Sequence, residues 1–291
     1  MVLSIGEILA DVIFNGQTGE MTAYLGGAPF NVAVASKKSG AKTAFLGKVG
    51  NDAPGKFLLK KAKEFGLGDS VQVDKKRNTT LAFVSIDENG ERDFAFFRGH
   101  TADYAIDFDL AQIEKNGKPS LVHLGSLMLN EPKGRDFAEK VCSYCETGGV
   151  AMSFDVNFRA DLFDNEKQAF DFYAPYIKRA DIVKFSEEEL TAYTGKSVTD
   201  GLRTLNNKIA VVTLGKDGCL VKSRGEIFHA ESEPVKPVDT TGAGDAFFGT
   251  FVGLIDQCGI DNVDIEKLRL IALQANKAGA QATLHKGAVT L

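Results

Sequence analysis

Short runs of β-branched and other apolar residues alternate along this chain with stretches in which apolar side chains recur every three or four positions. The first kind predicts strands over 3–9 (LSIGEIL), 43–50 (TAFLGKVG), 120–127 (SLVHLGSL), 149–156 (GVAMSFDV), 180–186 (ADIVKFS) and 209–215 (IAVVTLG). The second predicts helices over 29–40, 55–66 and 133–146, with two longer ones from near Gly244 and from about Asp264 to Leu284. Strands and helices in turn are the sign of a parallel sheet flanked by helices, an α/β fold.

Residues 80–98, TLAFVSIDENGERDFAFFR, break that rhythm. They read as two alternating strands joined by a turn containing Asn89-Gly90, a strong hairpin signal. A shorter pair, 10–14 and 22–25, looks similar. These strands do not fit easily into a parallel sheet, so the expectation is a small β lid (10–25 and 80–103) on an α/β body (1–9, 26–79 and 104–291). Placed over the strand ends, such a lid would exclude water from a site beneath it. Plain surface hairpins are the alternative.

Composition narrows the partners. The 291 residues are 44% apolar and 25% charged, ample for a buried core. A formal charge of −5 argues against nucleic acid or an anionic membrane as the main partner. No apolar stretch approaches the roughly 18–20 residues of a membrane span, and acids at Glu7 and Asp11 spoil a secretory signal, so a cytoplasmic location is expected. Cys142 and Cys145 form a CxxC, but neither Cys219 nor Cys258 completes a zinc site, and the pair reads as small apolar residues on one side of a helix.

Two glycine-rich segments imitate nucleotide loops. Residues 50–57, GNDAPGKF, nearly match a P-loop, yet Phe57 has no hydroxyl for magnesium and Pro54 removes an amide donor. Gly242 and Gly244 lack the third glycine of a dinucleotide fingerprint, Phe247 standing in its place, which argues against a hydride-transferring enzyme. What 239–247 (DTTGAGDAF) does offer is small residues at the start of an apolar helix, where unpaired N–H groups and the helix dipole favour an anion. The carboxylate of Asp245 in that field need not bind the anion. It can accept the proton of a hydroxyl that attacks a phosphoryl group. An ordinary helix cap made by Asp245 is the competing reading.

DTTGAGDAF resembles the C-terminal signature of the ribokinase-like (PfkB-type) carbohydrate kinases. Gly26-Gly27-Ala28-Pro29-Phe30-Asn31-Val32-Ala33, continuing through 45–52 to Gly55, resembles their N-terminal one, so the likeness covers nearly the whole chain. It implies a three-layer α/β/α sandwich with a mainly parallel central sheet and a small β-sheet lid. It also implies ATP and a sugar as ligands, Mg2+ as cofactor and K+ as activator. On the matching positions Asp245 would be the general base, and Gly242, Ala243 and Gly244 the anion hole. The sugar would be held by Asp11, Gly26, Gly27 and Asn31, with paired hydrogen bonds to neighbouring hydroxyls. Thr213, Gly215 and Gly218 would lie beside the nucleotide and Asn276 near adenine, although a mid-helix Asn is ordinarily a surface position.

Asp155-Val156-Asn157-Phe158-Arg159 resembles the DxNxR of fructokinases and 2-keto-3-deoxygluconate kinases, which implies Arg159 on phosphate or substrate oxygens. Phe97-Arg98 followed by Ala102-Asp103 resembles a fructokinase-like segment that adds Arg98 to the substrate site; a surface salt bridge is the plain alternative for either arginine. Where the family commonly has NxxE, this chain has Ser186-Glu187-Glu188-Glu189. The resemblance still implies Glu189 organising Mg2+ through water. A monovalent-cation site would use Asp239, Thr241 and the loop at Gly287.

Together these readings predict an ATP-dependent kinase acting on a primary hydroxyl; the resemblance of Pro29 and the SEEEL segment to fructokinases implies fructose, with 2-keto-3-deoxygluconate or another sugar of the family as the alternative. A sugar-binding regulator that has lost catalysis is the rival from another class, and the intact Asp245 speaks against it. The exposed lid sheet would suit a homodimer, since open sheet edges and faces invite association.

Overall fold

The computed structural model describes residues 1–14, 18–86, 92–115 and 117–289. β1 (Val2–Ile5) turns at Gly6 into β2 (Leu9–Phe14), which pairs with β3 (Met21–Gly26) ahead of α1 (Ala28–Lys38). The single strand expected over 3–9 is therefore two strands in different sheets. Gly6 is the reason: a Cβ there would overlap the Pro29 ring, so only glycine lets the chain leave the central sheet at this point.

β4 (Thr43–Gly50), α2 (Ala53–Glu64) and the short β5 (Val71–Asp74) follow. The P-loop look-alike is the entry to α2, whose cap Asp52 accepts a hydrogen bond from Gly55 N (2.8 Å). β6 (Leu81–Ile86) and β7 (Arg92–Phe97) pair as the expected hairpin, while its Asn89-Gly90 turn lies outside the described residues. After a single turn, α3 (Leu110–Ile113), come β8 (Leu121–Leu124), α4 (Pro132–Gly148), β9 (Ala151–Asp155) and α5 (Glu166–Arg179). β10 (Ile182–Ser186), α6 (Glu187–Thr194), α7 (Val198–Thr204) and β11 (Ile209–Thr213) lead to a hairpin, β12 (Cys219–Ser223) and β13 (Glu226–Ala230). α8 (Ala243–Cys258) and α9 (Ile265–Ala282) complete the order.

The large sheet runs β13-β12-β11-β10-β9-β8-β1-β4-β5, parallel throughout except for β12 and β13 at one edge. The chain winds from β1 to β4 and β5 on one side, then returns to β8 and proceeds the other way. Such a reversal leaves a crevice beyond the carboxyl ends of the strands, where α/β proteins bind ligands. The strands outside the parallel sheet form a second, small sheet, β3-β2-β6-β7, its two antiparallel pairs joined by the parallel pair β2 and β6.

Alternation along each central strand divides the core. On β10, Val183 and Phe185 pack with buried residues of α4 and α5, whereas Ile182 packs with Phe247, Phe251 and Ile271 of α8 and α9. Helices thus cover both faces, with α1, α8 and α9 on one and α4 to α7 on the other. A Cβ at Gly249 would overlap the Val32 carbonyl, so glycine lets α8 lie tight against α1 and sets where its N-terminus falls. Cys142 and Cys145 are buried on α4, and no metal-binding cluster of His, Cys, Asp or Glu occurs among the described residues. No described helix is long and apolar enough to cross a membrane.

Candidate active site

The loop before α8 makes its turn at Gly242, whose φ of 77° is the left-handed conformation glycine adopts without strain. Among the described residues no side chain caps this helix. A Cβ at Gly242 would stand 2.7 Å from Ala288, so the C-terminal loop packs directly on the turn. Asp239 fastens the two loops: its carboxylate accepts from Thr241 N (2.8 Å) and from Gly287 N (2.9 Å). The three positions expected to share a monovalent cation are thereby brought together.

Asp245 lies in the first turn of α8 and accepts a hydrogen bond from Asn31 Nδ2 on α1 (2.8 Å). It is not a helix cap, since Gly242 holds that position. Burial pushes its carboxyl up to about 6; Asn31 opposes the shift, Asp155 adds to it, and the charges of Lys184 and Arg159 oppose it. A group so placed is ionised at neutral pH and still basic enough to take a proton. The Asn31 side-chain carbonyl oxygen, buried beside it, has no hydrogen-bond partner among the described residues.

Asp11 on β2 sits against the start of α1. A Cβ on Gly26 would overlap the Asp11 carboxylate, and Gly27 caps α1 at a φ of 107°. Asp11, Gly26, Gly27 and Asn31 therefore line up along one path from the small sheet to Asp245. Arg98 stands differently. Its Nε donates to Asp103 (2.8 Å), its Nη1 to the Leu127 carbonyl (2.6 Å), and its guanidinium lies 4.3 Å from the centre of the Tyr104 ring. Nη2 is also 2.7 Å from Asp103, off the hydrogen-bond line. The pair is buried, not the surface bridge that was the plain alternative, and it commits Arg98 to holding β7 against the body.

On the other side of the glycine loop is a cavity of about 550 Å³ lined by Thr213, Gly215, Gly218, Gly244 and Asn276, with Pro234, Val235 and Pro237. Asn276 is buried rather than on the surface, and its amide donates to the carbonyls of Ala230 (2.8 Å) and Glu231 (3.1 Å). It fixes the chain leaving β13 and so shapes the cavity wall.

Between the two halves lies a charged cluster that the sequence shows only in part. Glu189 accepts from Ser186 N and from Phe158 N, both at 2.7 Å, and so ties the DxNxR loop to the β10–α6 corner. Ser186 in turn caps α6 in a reciprocal capping box. This is the structural duty of the residue that departs from the family pattern. Arg159 is half-buried, with Nη1 on the neighbouring Phe158 carbonyl (2.9 Å). Asp155, at the end of β9, is paired with Lys184 of β10 at 2.8 and 3.0 Å. Nothing in the sequence reading singled out Lys184. The signal was a lysine interrupting the apolar strand IVKFS.

An open helix N-terminus, a carboxylate of raised affinity for protons and a nucleotide-sized cavity across the glycine loop are the parts of a phosphotransferase with a small hydroxylated substrate. Comparison with known proteins agrees. All of residues 1–291 match the model of the pfkB family carbohydrate kinases, and the chain belongs to that family. Fructokinase-1 of Zea mays is 35% identical over 301 residues, which cover 99% of this chain and 93% of the maize protein. Fructokinase-1 of Oryza sativa subsp. japonica is 34% identical over 301 residues, with the same coverage. Among solved structures, fructokinase of Vibrio cholerae O395 with fructose, ADP and calcium ion bound superposes with a TM-score of 0.88 at 32% identity, covering 99% of this chain and 94% of the other. The chain is a carbohydrate kinase, and its fold is the ribokinase-like three-layer α/β/α sandwich with a small additional sheet.

Proposed function

We propose that this kinase transfers the γ-phosphate of ATP to the primary hydroxyl of fructose, giving fructose 6-phosphate, with Asp245 as the general base. The observation that carries the reaction type is Asp245 itself, half-buried in the first turn of α8, oriented by Asn31 and held with a proton affinity near 6. The fructokinases among its relatives support the choice of sugar.

Asp11, the Gly26-Gly27 backbone and Asn31 hold the sugar hydroxyls, and Asp245 takes the proton of the attacking one. The hydroxyl oxygen forms its bond to the γ-phosphorus as the bond to the bridging oxygen breaks, and ADP leaves with that electron pair. Amides at Gly242, Ala243 and Gly244 and the guanidinium of Arg159 stabilise the charge on the group in transit. Arg98, fixed to Asp103, serves the sugar pocket by anchoring the lid strand. Thr213, Gly215, Gly218 and Asn276 wall the nucleotide cavity.

Both oxygens of Glu189 already accept backbone N–H groups, which suits contact with Mg2+ through water, the mode that ion prefers. Mg2+ there would neutralise phosphate charge. Asp239, buried and joined to Thr241 and Gly287, suits K+ at the loop junction. We place the enzyme in the cytoplasm, working as a dimer through the lid sheet, whose Met21 and Phe97 are exposed. A monomer mass independent of concentration in sedimentation would refute that assembly.

The test is Mg2+-dependent ADP release with fructose, 2-keto-3-deoxygluconate, ribose, glucose and adenosine, with Asp245→Asn alongside. Preference for fructose, lost in the variant, is expected. Preference for the keto-deoxy acid would keep the mechanism and replace the sugar. Sugar binding without turnover of any sugar would point instead to a regulator.

A further inference from the structure

We propose that Lys184 is the amine that the glycine loop lacks, and that its ammonium contacts the phosphoryl group in transit. This rests on reading the site as a kinase centre. Period-two alternation on β10 places Lys184 in the same row as Ile182, facing α8. Its Nζ is 3.6 Å and its Cε 3.7 Å from where a Gly244 Cβ would be, so a side chain there would crowd the ammonium and glycine leaves the approach open.

The ammonium has three donors. The two oxygens of Asp155 take two of them, at 2.8 and 3.0 Å, and no third protein acceptor is present among the described residues. Lys184 and Asp155 are 6% and 3% exposed, which keeps competing water from the remaining N–H. A buried ion pair is poor support for a fold, because well-packed apolar residues of similar volume often serve as well or better. This pair bridges the carboxyl ends of two central strands, where ligands bind and not where the core is densest.

The charge balance points the same way. Asp155, Glu189 and Asp245 gather three carboxylates around the loop, against the cations Lys184 and Arg159. The incoming triphosphate adds more negative charge. As the hydroxyl oxygen bonds to the γ-phosphorus and the bridging oxygen departs on ADP, negative charge spreads over the equatorial oxygens. An ammonium fixed beforehand meets that charge without reorganising. Asp155 aims it, while Asp245 stays free to take the proton.

The test compares wild type with Lys184→Met and with Lys184→Met/Asp155→Asn. The double variant removes both charges, so that no uncompensated aspartate is left buried. Calorimetry measures the affinity for adenosine and for the β,γ-imido analogue of ATP, and steady-state assays give kcat and the fructose KM. In the folded variants the ratio of analogue to adenosine affinity is expected to fall by more than about tenfold and kcat by about 100-fold, as for loss of one preorganised donor, with the fructose KM little changed. A ratio that changes by less than about tenfold in a folded variant overturns the proposal and leaves the lysine a structural residue. The binding ratio needs no turnover. If wild type phosphorylates none of the sugars, the kinase reading fails on that result, and the contact is still judged by the ratio.

Discussion

Replacing Asp245 by Asn should make the protein both inactive and more stable, and the gain should depend on pH. Burial moves the carboxyl from its ordinary 3.8 to about 6. Such a shift of roughly two units corresponds to about 3 kcal/mol at about 1.36 kcal/mol per unit. The residue is only half-buried, so water recovers part of that cost. We expect the charged base to destabilise the fold by about 1–2 kcal/mol at neutral pH.

The sign follows from proton binding. The folded form holds the proton more tightly than the unfolded chain, so stability falls as pH rises from about 4 to about 6, and the full penalty is present above that range. Asparagine carries no such penalty. Urea unfolding of wild type and Asp245→Asn should therefore give similar stabilities at about pH 4 and a variant more stable by about 1–2 kcal/mol at about pH 7.5. Comparing the two proteins at each pH cancels the other titrating groups. In the same preparations kcat should fall by about 10²–10⁴-fold while ATP still binds. The acid limb of wild-type kcat/KM should bend near pH 6. An equal stability difference at both pH values would refute the raised proton affinity, and near wild-type turnover would refute the base.

Three further outcomes follow from particular contacts. Gly26→Ala puts a Cβ into the Asp11 carboxylate, so the KM for sugar should rise by tenfold or more, a cost of the order expected for a displaced positioning group, while ATP affinity is unchanged; equal sugar KM values would remove Asp11 from the pocket. Glu7 is fully buried, neither carboxylate oxygen has a hydrogen-bond partner among the described residues, and burial, opposed by the Arg98 charge, raises it to about 7. Its folded form also holds the proton more tightly, so stability is lost as pH rises from about 4.5 to 7, and Glu7→Gln should gain about 2–3 kcal/mol at about pH 8 and little at about pH 4, measured by urea unfolding. Turnover should be faster in potassium than in sodium or tetramethylammonium buffer; equal rates in all three would remove the cation site at Asp239, Thr241 and Gly287.

Local signals carried much of this architecture, and they failed where the deciding contact was distant. β4 was legible to the residue, because TAFLGKVG is apolar enough to be a central strand and is bounded by turn residues. α8 was legible from its apolar run and the small residues ahead of it. The strand over 3–9 was misjudged because its break depends on Pro29 crowding Gly6, a contact across 23 positions. α5 was passed over because Pro175 sits inside it and interrupts an otherwise amphipathic pattern. β12 and β13 were missed because they are short, and because Arg224 and Gly225 at their turn, both at positive φ, do not advertise a hairpin as Asn-Gly does.

The site divides along the same line. Asp245 and its glycines are contiguous, so they stand out as a motif. Lys184 lies about sixty positions upstream on another element, and in an apolar strand nothing local says which face it takes. The seating of α8 over the sheet, with Gly249 of α8 against Val32 of α1, is what brings the glycine loop next to Lys184. A P-loop gathers glycines, amine and hydroxyl into eight consecutive residues. In the centre proposed here the amides and base would come from α8, the amine from β10 and its carboxylate partner from β9. That division explains how a loop for negative charge can carry an aspartate. On the proposed reading, the cation such a loop needs comes from Lys184 below it, which leaves the position after the glycines for a base, and both depend on how α8 packs on the sheet.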